Sequence, residues 1–322
     1  MQTGIRLFLV SPRGFCAGVV RAIETVRRAL DLWGSPIYVK HHIVHNRHVV
    51  AELEQKGAIF IEDLSEVPHG HRVIYSAHGV SPTVRAEAKA RGLIEIDASC
   101  GLVIRVHSAV KRFAAKGYQI VLIGHKSHVE VIGTAGEAPE ATTIVETPKD
   151  VAKLVFDPSQ PIFYITQTTL SVDDVQEITA ALLAKYPHAQ TLPSSSICYA
   201  TTNRQEALKE IVERVDLALV VGDKASSNSN RLCEVARTRN VAAHLINDPA
   251  EIESKWLDGV KAIAMTAGAS TPESVVQQCI ARLQVLGVMP PEEVMSRKEN
   301  VFFELPQSVL SAEKQLARAK PK

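Results

Sequence analysis

Residues 5–23 read IRLFLVSPRGFCAGVVRAI, and this stretch contains the unit from which the rest of the chain is built. Its first six residues form an apolar run typical of a buried strand. A loop with Pro12, Gly14 and Cys16 follows, and from Ala17 onward the apolar residues recur at helical spacing. The segment therefore predicts a strand, a loop that carries a cysteine, and a helix.

The same order of strand, loop and helix recurs along the whole chain, which predicts an α/β fold with mainly parallel sheets and helices on both faces. The candidate strands are too many for one compact sheet of this size, so we expect several small sheets. They are residues 5–10, 37–40, 58–61, 72–76, 93–96, 119–123, 142–145, 162–166, 217–221, 241–246 and 261–265.

Two further cysteines, Cys100 in DASCGLV and Cys198 in SSICYATTNR, also stand just before helical stretches. The spacing predicts three similar α/β units, each offering one thiol from a helix start. We place these domains at residues 1–98, 99–195 and 196–304, followed by a tail at 305–322. The residues after Ser311 are charged and lack a strong apolar stripe, so we expect them to be mobile.

Composition excludes several classes of function. Lys and Arg number 36 against 35 Asp and Glu, a net charge of +1 that favours neither nucleic acid nor a membrane surface as a partner. No apolar run reaches the ~18 residues of a membrane span, and the N-terminal segment lacks the pattern of a signal peptide. Five scattered cysteines do not make a disulfide framework. We expect a soluble, cytoplasmic protein with reduced thiols.

Cys16, Cys100 and Cys198 are candidate metal ligands, because a helix N-terminus favours the thiolate form that binds metal. Three thiolates suit zinc or an iron–sulfur cluster, and the CxxC pairs of structural zinc sites and the cysteine run of ferredoxins are absent. On a four-iron cluster, three cysteines leave one iron open to act as a Lewis acid. Cys233 and Cys279 stand in mid-helix among apolar neighbours and are predicted to be structural.

Polar loops that follow strands supply the other candidates. His45, His78, His125 and His128 each follow a strand, so these imidazoles are predicted to meet at one sheet edge, with Glu130 beside them as an acid of raised pKa. Thr168, Thr169, the run 226–230 and Ser270 are candidate anion ligands at helix starts. Ser81 and Ser171 are predicted N-caps, and 270–273 reads as a capping box. The predicted surface histidines are His41, His48, His69, His71, His107, His188 and His244.

Neither GxGxxG nor GxxxxGK[ST] occurs, which argues against a dinucleotide or a P-loop nucleotide. A small phosphorylated ligand held by His, Ser, Thr and Asn remains. Seven motifs stand in this order within residues 5–304: PRGFCAGVVRAI, HHIVHNR, SAHGVSP, QTTLSVDD, ICYATTNRQEA, SSNSNRL and TAGASTP. Together they resemble the LytB-type reductases of 4-hydroxy-3-methylbut-2-enyl diphosphate, the terminal enzymes of the non-mevalonate isoprenoid pathway.

The resemblance implies three pseudo-threefold α/β domains around a central [4Fe–4S] cluster held by Cys16, Cys100 and Cys198. It implies that an allylic hydroxyl is removed with two electrons and two protons, which yields isopentenyl and dimethylallyl diphosphate. Glu130 would supply protons, with Thr168 and His128 beside it. Ferredoxin or flavodoxin would donate electrons to a monomer or homodimer. The residues implied to bind the substrate are His45, His78, His128, Ser226, Ser227, Asn228 and Ser270 around the diphosphate and Thr168 near the hydroxyl.

The chain departs from the family pattern at four positions, where Gly101, Ile104, Val129 and Ile132 replace the common Pro, Thr, Pro and Glu. Gly101 and Val129 relax the backbone beside the cluster and the acid, so we expect altered cluster stability or product ratio. Three other functions stay open from the residues alone: an iron–sulfur enzyme like quinolinate synthase, a cluster-bearing redox sensor without catalysis, and a zinc hydrolase.

Overall fold

The computed structural model of the chain describes residues 4–194 and 196–319. Ser195, the predicted end of the second domain, and the stretches 1–3 and 320–322 at the ends of the predicted first domain and tail lie outside the described residues. The strands found in the described part are β1 Ile5–Ser11, β2 Ile37–Lys40, β3 Ala58–Ile61, β4 Arg72–Tyr75, β5 Ile94–Asp97, β6 Gln119–Ile123, β7 Thr142–Val145, β8 Ile162–Thr166, β9 Leu217–Val221, β10 Ala242–Ile246, β11 Ala262–Ala267 and β12 Val288–Met295.

These strands form three separate sheets within the described residues, with orders β10-β9-β11-β1-β12, β3-β2-β4-β5 and β7-β6-β8. Every pairing between neighbouring strands is parallel. The predicted α/β fold with several small, mainly parallel sheets is therefore confirmed. Because the strands are parallel, the loops that leave their carboxyl ends gather at one edge of each sheet.

The first strand does not pair within the first predicted domain. β1 lies between β11 and β12, with Leu7 opposite Ile263 on one side and Pro291 on the other. The N-terminal strand thus completes the sheet of the third unit, and the helix after it returns to the first. The domain limits at residues 98 and 195 remain a prediction. β1 differs from that division, because it lies in the predicted first domain but pairs with strands of the third.

One strand, β12, is not predicted from the sequence. β12 contains Pro290, Pro291, Glu292 and Glu293 and is only partly buried. Proline lacks the N–H that a central strand must donate, so such a run does not read as a strand. It is accommodated here because β12 lies at an edge and pairs only with β1.

The helices connect the strands and cover the sheets. Ser81 and Ser171 cap α3 and α7 through hydrogen bonds from Val84 N–H and Asp174 N–H, as predicted. The predicted capping box at 270–273 is wrong, because α10 has Pro272 as its N-cap and no side-chain cap. The helices are α1 Ala17–Trp33, α2 Arg47–Gln55, α3 Pro82–Ala90, α4 Gly101–Ala114, α5 Val129–Ala135, α6 Pro148–Lys153, α7 Val172–Lys185, α8 Tyr199–Val212, α9 Ser227–Arg237, α10 Glu273–Val285 and α11 Gln307–Ala319.

The C-terminal segment is helical to Ala319, where the sequence predicts only a charged tail after Ser311, and the mobility of that tail stays a prediction. α11 runs to Ala319, and its residue Val309 is fully buried against the apolar cluster between α1 and β2. One well-placed apolar side chain, with Leu305 beside it, anchors a helix whose remaining residues are mostly polar. Sequence alone underestimated this because few apolar residues carry the contact.

Cys233 and Cys279 lie in the apolar clusters on the two faces of the five-stranded sheet, 1% and 0% exposed. Their structural role agrees with the prediction from their mid-helix positions. No helix among the described residues has both the length and the apolarity needed to cross a bilayer.

Candidate active site

Three cysteines cap three helices at the same cavity. Cys16, Cys100 and Cys198 are the N-cap residues of α1, α4 and α8, and the backbone is extended at Cys16 and Cys198. All three line a central cavity of about 100 Å³ in the middle of the molecule. Thiols 84 and 98 positions apart in the chain are thus brought together by the arrangement of the sheets.

The backbone ties each cysteine to a polar loop from another part of the chain. Cys16 N–H donates to Ala269 O at 3.2 Å, Cys100 N–H to Ala77 O at 2.9 Å, and Cys198 N–H to Thr168 O at 3.0 Å. Each acceptor stands in or next to a loop that contains a predicted ligand residue. These backbone hydrogen bonds therefore fix the position of each cysteine relative to a polar loop.

Gly18 allows two of the sulfurs to approach. A Cβ on this residue would lie 2.5 Å from Cys100 Sγ and 3.9 Å from Cys16 Sγ. Any side chain here would occupy the space beside both thiols, so the glycine in PRGFCAG serves close approach rather than an unusual backbone conformation.

The pKa values of the thiols depart from the expectation that helix N-termini favour thiolate. Burial and the charge of Cys16 raise the pKa of Cys100 to about 11 and that of Cys198 to about 12. Desolvation and mutual repulsion outweigh the helix dipole. A positively charged group beside Cys100 and Cys198 would favour their thiolate forms.

The donor set fits a cluster of several atoms better than a single ion. Among the described residues, no three His, Cys, Asp or Glu side chains are close enough to hold one metal ion together. All three cysteines line one cavity, and thiolates are the ligands of iron–sulfur clusters.

Three histidines meet at the opposite wall of the central cavity, as predicted. The rings of His45 and His78 stack with centroids 4.2 Å apart, and His128 lies edge-on to them at 5.5 Å and 6.0 Å. His45 follows β2, His78 follows β4 and His128 follows β6, so two sheets contribute to this histidine cluster. His128 also caps α5, where its Nδ1 accepts from Glu130 N–H at 3.2 Å.

The histidine cluster is neutral and has unused hydrogen-bonding atoms. Burial lowers the pKa of His45 and of His128 to about 4, and that of His78 well below its ordinary value. The Nε2 atoms of His45 and His128 are buried without a hydrogen-bond partner. Buried polar atoms are rarely left unpaired, so these point to a polar ligand in the cavity.

Glu130 is 2% exposed and held by a single residue from the next loop. Thr168 donates to both carboxyl oxygens, from N–H at 2.6 Å and from Oγ1 at 2.9 Å. Burial raises the pKa of Glu130, against the opposing effect of these hydrogen bonds. A buried carboxyl group of raised pKa beside a cavity is suited to donate a proton.

The hydroxyl and amide residues have two different roles. Asn228 is occupied by the protein, since it accepts from Ala269 N–H at 2.9 Å and donates to Thr201 Oγ1 at 3.1 Å. Ser226 caps α9, and Ser270 Oγ donates to His45 O at 3.0 Å, which still leaves its lone pairs free to accept. Together with Ser227 they line the central cavity.

Sequence reasoning missed Thr201. It is fully buried, lines the central cavity, and exchanges hydrogen bonds with Cys198 Sγ at 3.1 Å through Oγ1 and at 3.3 Å through N–H. The available signal was its position three residues after an N-cap cysteine, where N-cap side chains bond.

Two histidine predictions need correction. His125 does not join the histidine cluster but lies outside the central cavity, 3.8 Å from Glu146. His107, predicted at the surface, is 8% exposed and pairs with Glu137. It stands in α4, which packs against β6 and β8, so the helix face rather than the residue type decides its burial.

An opening leads from the histidine cluster toward the surface. It shares His45, His128 and Ser227 with the central cavity and has Arg231 at its rim. None of the described residues that line the central cavity itself is Lys or Arg. An anion there would be held by neutral donors and by helix N-termini.

Known proteins resemble this chain in both sequence and structure. The chain matches the LytB protein family over residues 7–284. It is 65% identical over 308 residues to the 4-hydroxy-3-methylbut-2-enyl diphosphate reductase of Protochlamydia amoebophila strain UWE25, across 96% of this chain and 98% of that protein. The structure of the E-1-hydroxy-2-methyl-but-2-enyl-4-diphosphate reductase from Plasmodium falciparum aligns with a TM-score of 0.95 at 49% identity, over 98% of this chain and 99% of that one.

A second solved structure is more distant. The (E)-4-hydroxy-3-methyl-but-2-enyl diphosphate reductase described as the terminal enzyme of the non-mevalonate pathway aligns with a TM-score of 0.63 at 31% identity. The match covers 87% of this chain and 99% of that one. The likeness therefore extends over nearly the whole fold and is not confined to one domain.

Proposed function

Since this chain belongs to the LytB protein family, we propose that it reduces (E)-4-hydroxy-3-methylbut-2-enyl diphosphate. Two electrons and two protons remove the allylic hydroxyl as water and leave isopentenyl or dimethylallyl diphosphate. The observation that carries the proposal is the single cavity that joins three thiols, a neutral histidine cluster and the buried Glu130.

Cys16, Cys100 and Cys198 would hold a [4Fe–4S] cluster. When bound, such a cluster supplies electrons one at a time and an iron without a protein ligand that acts as a Lewis acid. Support comes from the raised pKa of Cys100 and Cys198, which makes the empty thiol set poor in thiolate and in need of positive charge. Gly18 keeps the space beside two of the sulfurs free.

The diphosphate would be bound by neutral donors. His45 and His128 each have a buried Nε2 without a partner, and Ser226 and Ser227 stand at the N-terminus of α9. An incoming anion reverses the effect of burial on the imidazoles and raises their pKa, so binding draws protons into the histidine cluster. This grip orients the hydroxyl end of the substrate toward Glu130 and Thr168.

Glu130 would protonate the departing oxygen. Thr168 fixes both carboxyl oxygens, which restricts the carboxyl group to one orientation. The Thr168 hydroxyl, which donates to Glu130, has lone pairs left to accept from a substrate hydroxyl. Burial excludes water and maintains the raised pKa until the proton is delivered.

The alternatives lack a comparable observation. A quinolinate-synthase-like enzyme requires cationic side chains for carboxylates, and the described lining of the central cavity contains none. A redox sensor has no use for a buried acid and unpaired imidazoles. The electron donor (ferredoxin or flavodoxin), the monomeric or dimeric state and the cytoplasmic location stay predictions.

The proposal is tested on protein purified without oxygen. We expect a brown preparation with about four irons per chain, as a [4Fe–4S] cluster requires, and turnover of the diphosphate with a dithionite-driven mediator. Cys16→Ser, Cys100→Ser and Cys198→Ser should each abolish turnover, whereas Cys233→Ser and Cys279→Ser, in the apolar clusters, should not. A colourless, zinc-loaded protein would overturn the proposal.

A further inference from the structure

A second cleft lies behind the central cavity. It has a volume of about 270 Å³ and is lined by Gly79, Asp97, Ser99, Val103, His107 and Glu137, among others. We call it the rear cleft. Val103 lines the rear cleft and the central cavity alike, so one side chain stands between them. Nothing in the reaction described so far uses this space.

His107 is at the inner end of the rear cleft. Its Nδ1 lies 2.8 Å from Glu137 Oε1, and the side chains of the pair are 10% and 12% exposed. The ring is seated on two glycines: a Cβ on Gly79 would lie 3.2 Å from Nε2, and one on Gly133 would lie 3.4 Å from Cε1. Two glycines and a carboxylate thus fix the ring with Nδ1 toward Glu137.

Two buried polar atoms of the rear cleft have no partner in the protein. They are His107 Nε2 and Ser99 Oγ, on residues that are 8% and 1% exposed as a whole. Buried polar atoms beside a space of this size are normally hydrogen-bonded to ordered water. The rear cleft is therefore expected to hold water that reaches His107 from outside.

The acid in the central cavity needs a supply of protons. Glu130 is buried, and within the described part of the chain its carboxyl oxygens accept hydrogen bonds from Thr168. Substrate bound at the histidine cluster would occupy the opening on that side, because His45 and His128 line the opening as well as the central cavity. Glu130 and Gly133 lie one turn apart on α5, so His107 packs against the same helix that carries the acid. His107 is also close enough to Glu130 for its charge to lower the pKa of the carboxyl group.

We propose that His107, oriented by Glu137, relays protons from water in the rear cleft to Glu130. This inference rests on the proposed reductase function and assigns its proton path. After Glu130 has given its proton to the leaving oxygen, Nε2–H of the His107 imidazolium passes a proton through water to the Glu130 carboxylate. The neutral imidazole then recovers a proton from bulk solvent through rear-cleft water, while Nδ1–H stays on Glu137. Each such cycle restores the proton that Glu130 has given to the leaving oxygen.

Two substitutions of His107 separate a relay from a packing role. Glutamine keeps much of the volume and donates to Glu137 but cannot carry a proton, whereas alanine opens a space beside the rear cleft. Both His107→Gln and His107→Ala should lower kcat at least about tenfold, within the range of general acid–base effects, with KM changed less than about twofold. Added imidazole should restore the alanine variant and not the glutamine variant. His244→Ala, a histidine stacked on Trp256 in the third unit, is the control for both treatments.

The outcomes against the relay are distinct. A glutamine variant with wild-type kcat, or an alanine variant that imidazole does not restore, makes His107 a packing residue. A high-resolution crystal structure of the cluster-free protein gives a readout without activity, with water expected on His107 Nε2, and a dry rear cleft overturns the inference. Wild-type protein that does not reduce the diphosphate would instead refute the proposed function.

Discussion

Glu130 illustrates how one residue acquires a function from its surroundings. On the sequence it is one acid among many, two positions after a histidine. In the fold it is buried, held at both oxygens by Thr168, and its pKa is raised. The hydrogen bonds fix the orientation of the carboxyl group, while burial raises its pKa and so favours the protonated form. Neither effect alone would give an oriented acid.

We expect Glu130→Gln to keep the geometry and lose the proton. The amide still accepts from Thr168 N–H, so the variant should fold, load iron and bind the diphosphate. Its kcat should fall about 10²- to 10⁴-fold, the usual contribution of a positioned acid. Steady-state kinetics with the visible spectrum of the cluster measures both properties. A variant with wild-type kcat would show that another group donates the proton.

A second residue-level prediction concerns the pH dependence of stability. The folded pKa of His128 is about 4 against an ordinary value of 6.5. Between these values the unfolded chain binds a proton that the folded chain refuses, so His128 costs stability progressively as pH falls from 6.5 to 4. Asn at this position still caps α5 but does not titrate.

The comparison of wild type with His128→Asn isolates this effect. In the cluster-free protein, the melting temperature of wild type relative to the variant should decrease as pH is lowered from about 7 to about 4.5, since only wild type carries the penalty. Thermal melts across this pH range measure it. Two parallel curves would mean that His128 titrates normally in the folded protein.

At the scale of elements, Gly101 is explained by a neighbour from the far end of the chain. It is the first residue of α4, and a Cβ there would lie 2.9 Å from Cε1 and 3.0 Å from Cδ1 of Phe303. The residue that follows the second cysteine is therefore small because an aromatic ring of the C-terminal segment lies over the start of the helix. Gly101 and the ring of Phe303 therefore fit each other as a pair.

This contact predicts that the effect of Gly101→Pro on stability depends on the residue at position 303. Gly101→Pro alone should lower stability and iron content, because the ring of Phe303 occupies the space. In a Phe303→Ala background the same change should be neutral or stabilising, as Pro suits the first position of a helix. The coupling should be about 0.5–3 kcal/mol, as for residues in contact. Urea unfolding and iron analysis measure both.

Val129→Pro is the matched control. Val129 is also the first residue of a helix, α5, where proline is well accepted. We expect little change in stability in either background of Phe303. Additive effects of Gly101→Pro and Phe303→Ala would contradict the clash.

At the scale of the whole molecule, Arg204 joins segments that are distant in sequence. It is 1% exposed and donates to Gly14 O at 2.8 Å, Ala200 O at 2.9 Å and Glu299 Oε1 at 3.1 Å. These acceptors lie before Cys16, in α8 behind Cys198, and in the segment after β12. One guanidinium thus holds two of the cysteine-bearing helix starts in a fixed relation.

Arg204→Met should destabilise the protein by about 3–5 kcal/mol, the usual cost of removing one partner of a buried ion pair. The control is Arg6→Met, which removes the exposed pair with Glu292 and should cost less than about 1 kcal/mol. Denaturant unfolding of the cluster-free proteins measures both. Equal losses would mean that burial of Arg204 does not matter to the fold.

The sequence by itself determined the α/β class, most strand positions and the three N-cap cysteines, because these depend on local periodicity and on residues near one another in the chain. β6, β8 and β9 begin and end where the apolar runs do. The cysteines and histidines of the central cavity were also predictable, since the loops that leave parallel strands are recognisable as short polar motifs.

Only the tertiary structure decided what depends on contacts between distant segments. The placement of β1 in the third sheet, the docking of Val309, the burial of His107 and the fit of Phe303 over Gly101 each join residues separated by long stretches of chain. The pKa values of the thiols belong to the same class, because desolvation by the assembled core exceeds the local effect of a helix dipole. Local sequence patterns identify the groups that reach the site, and tertiary packing determines their pKa values.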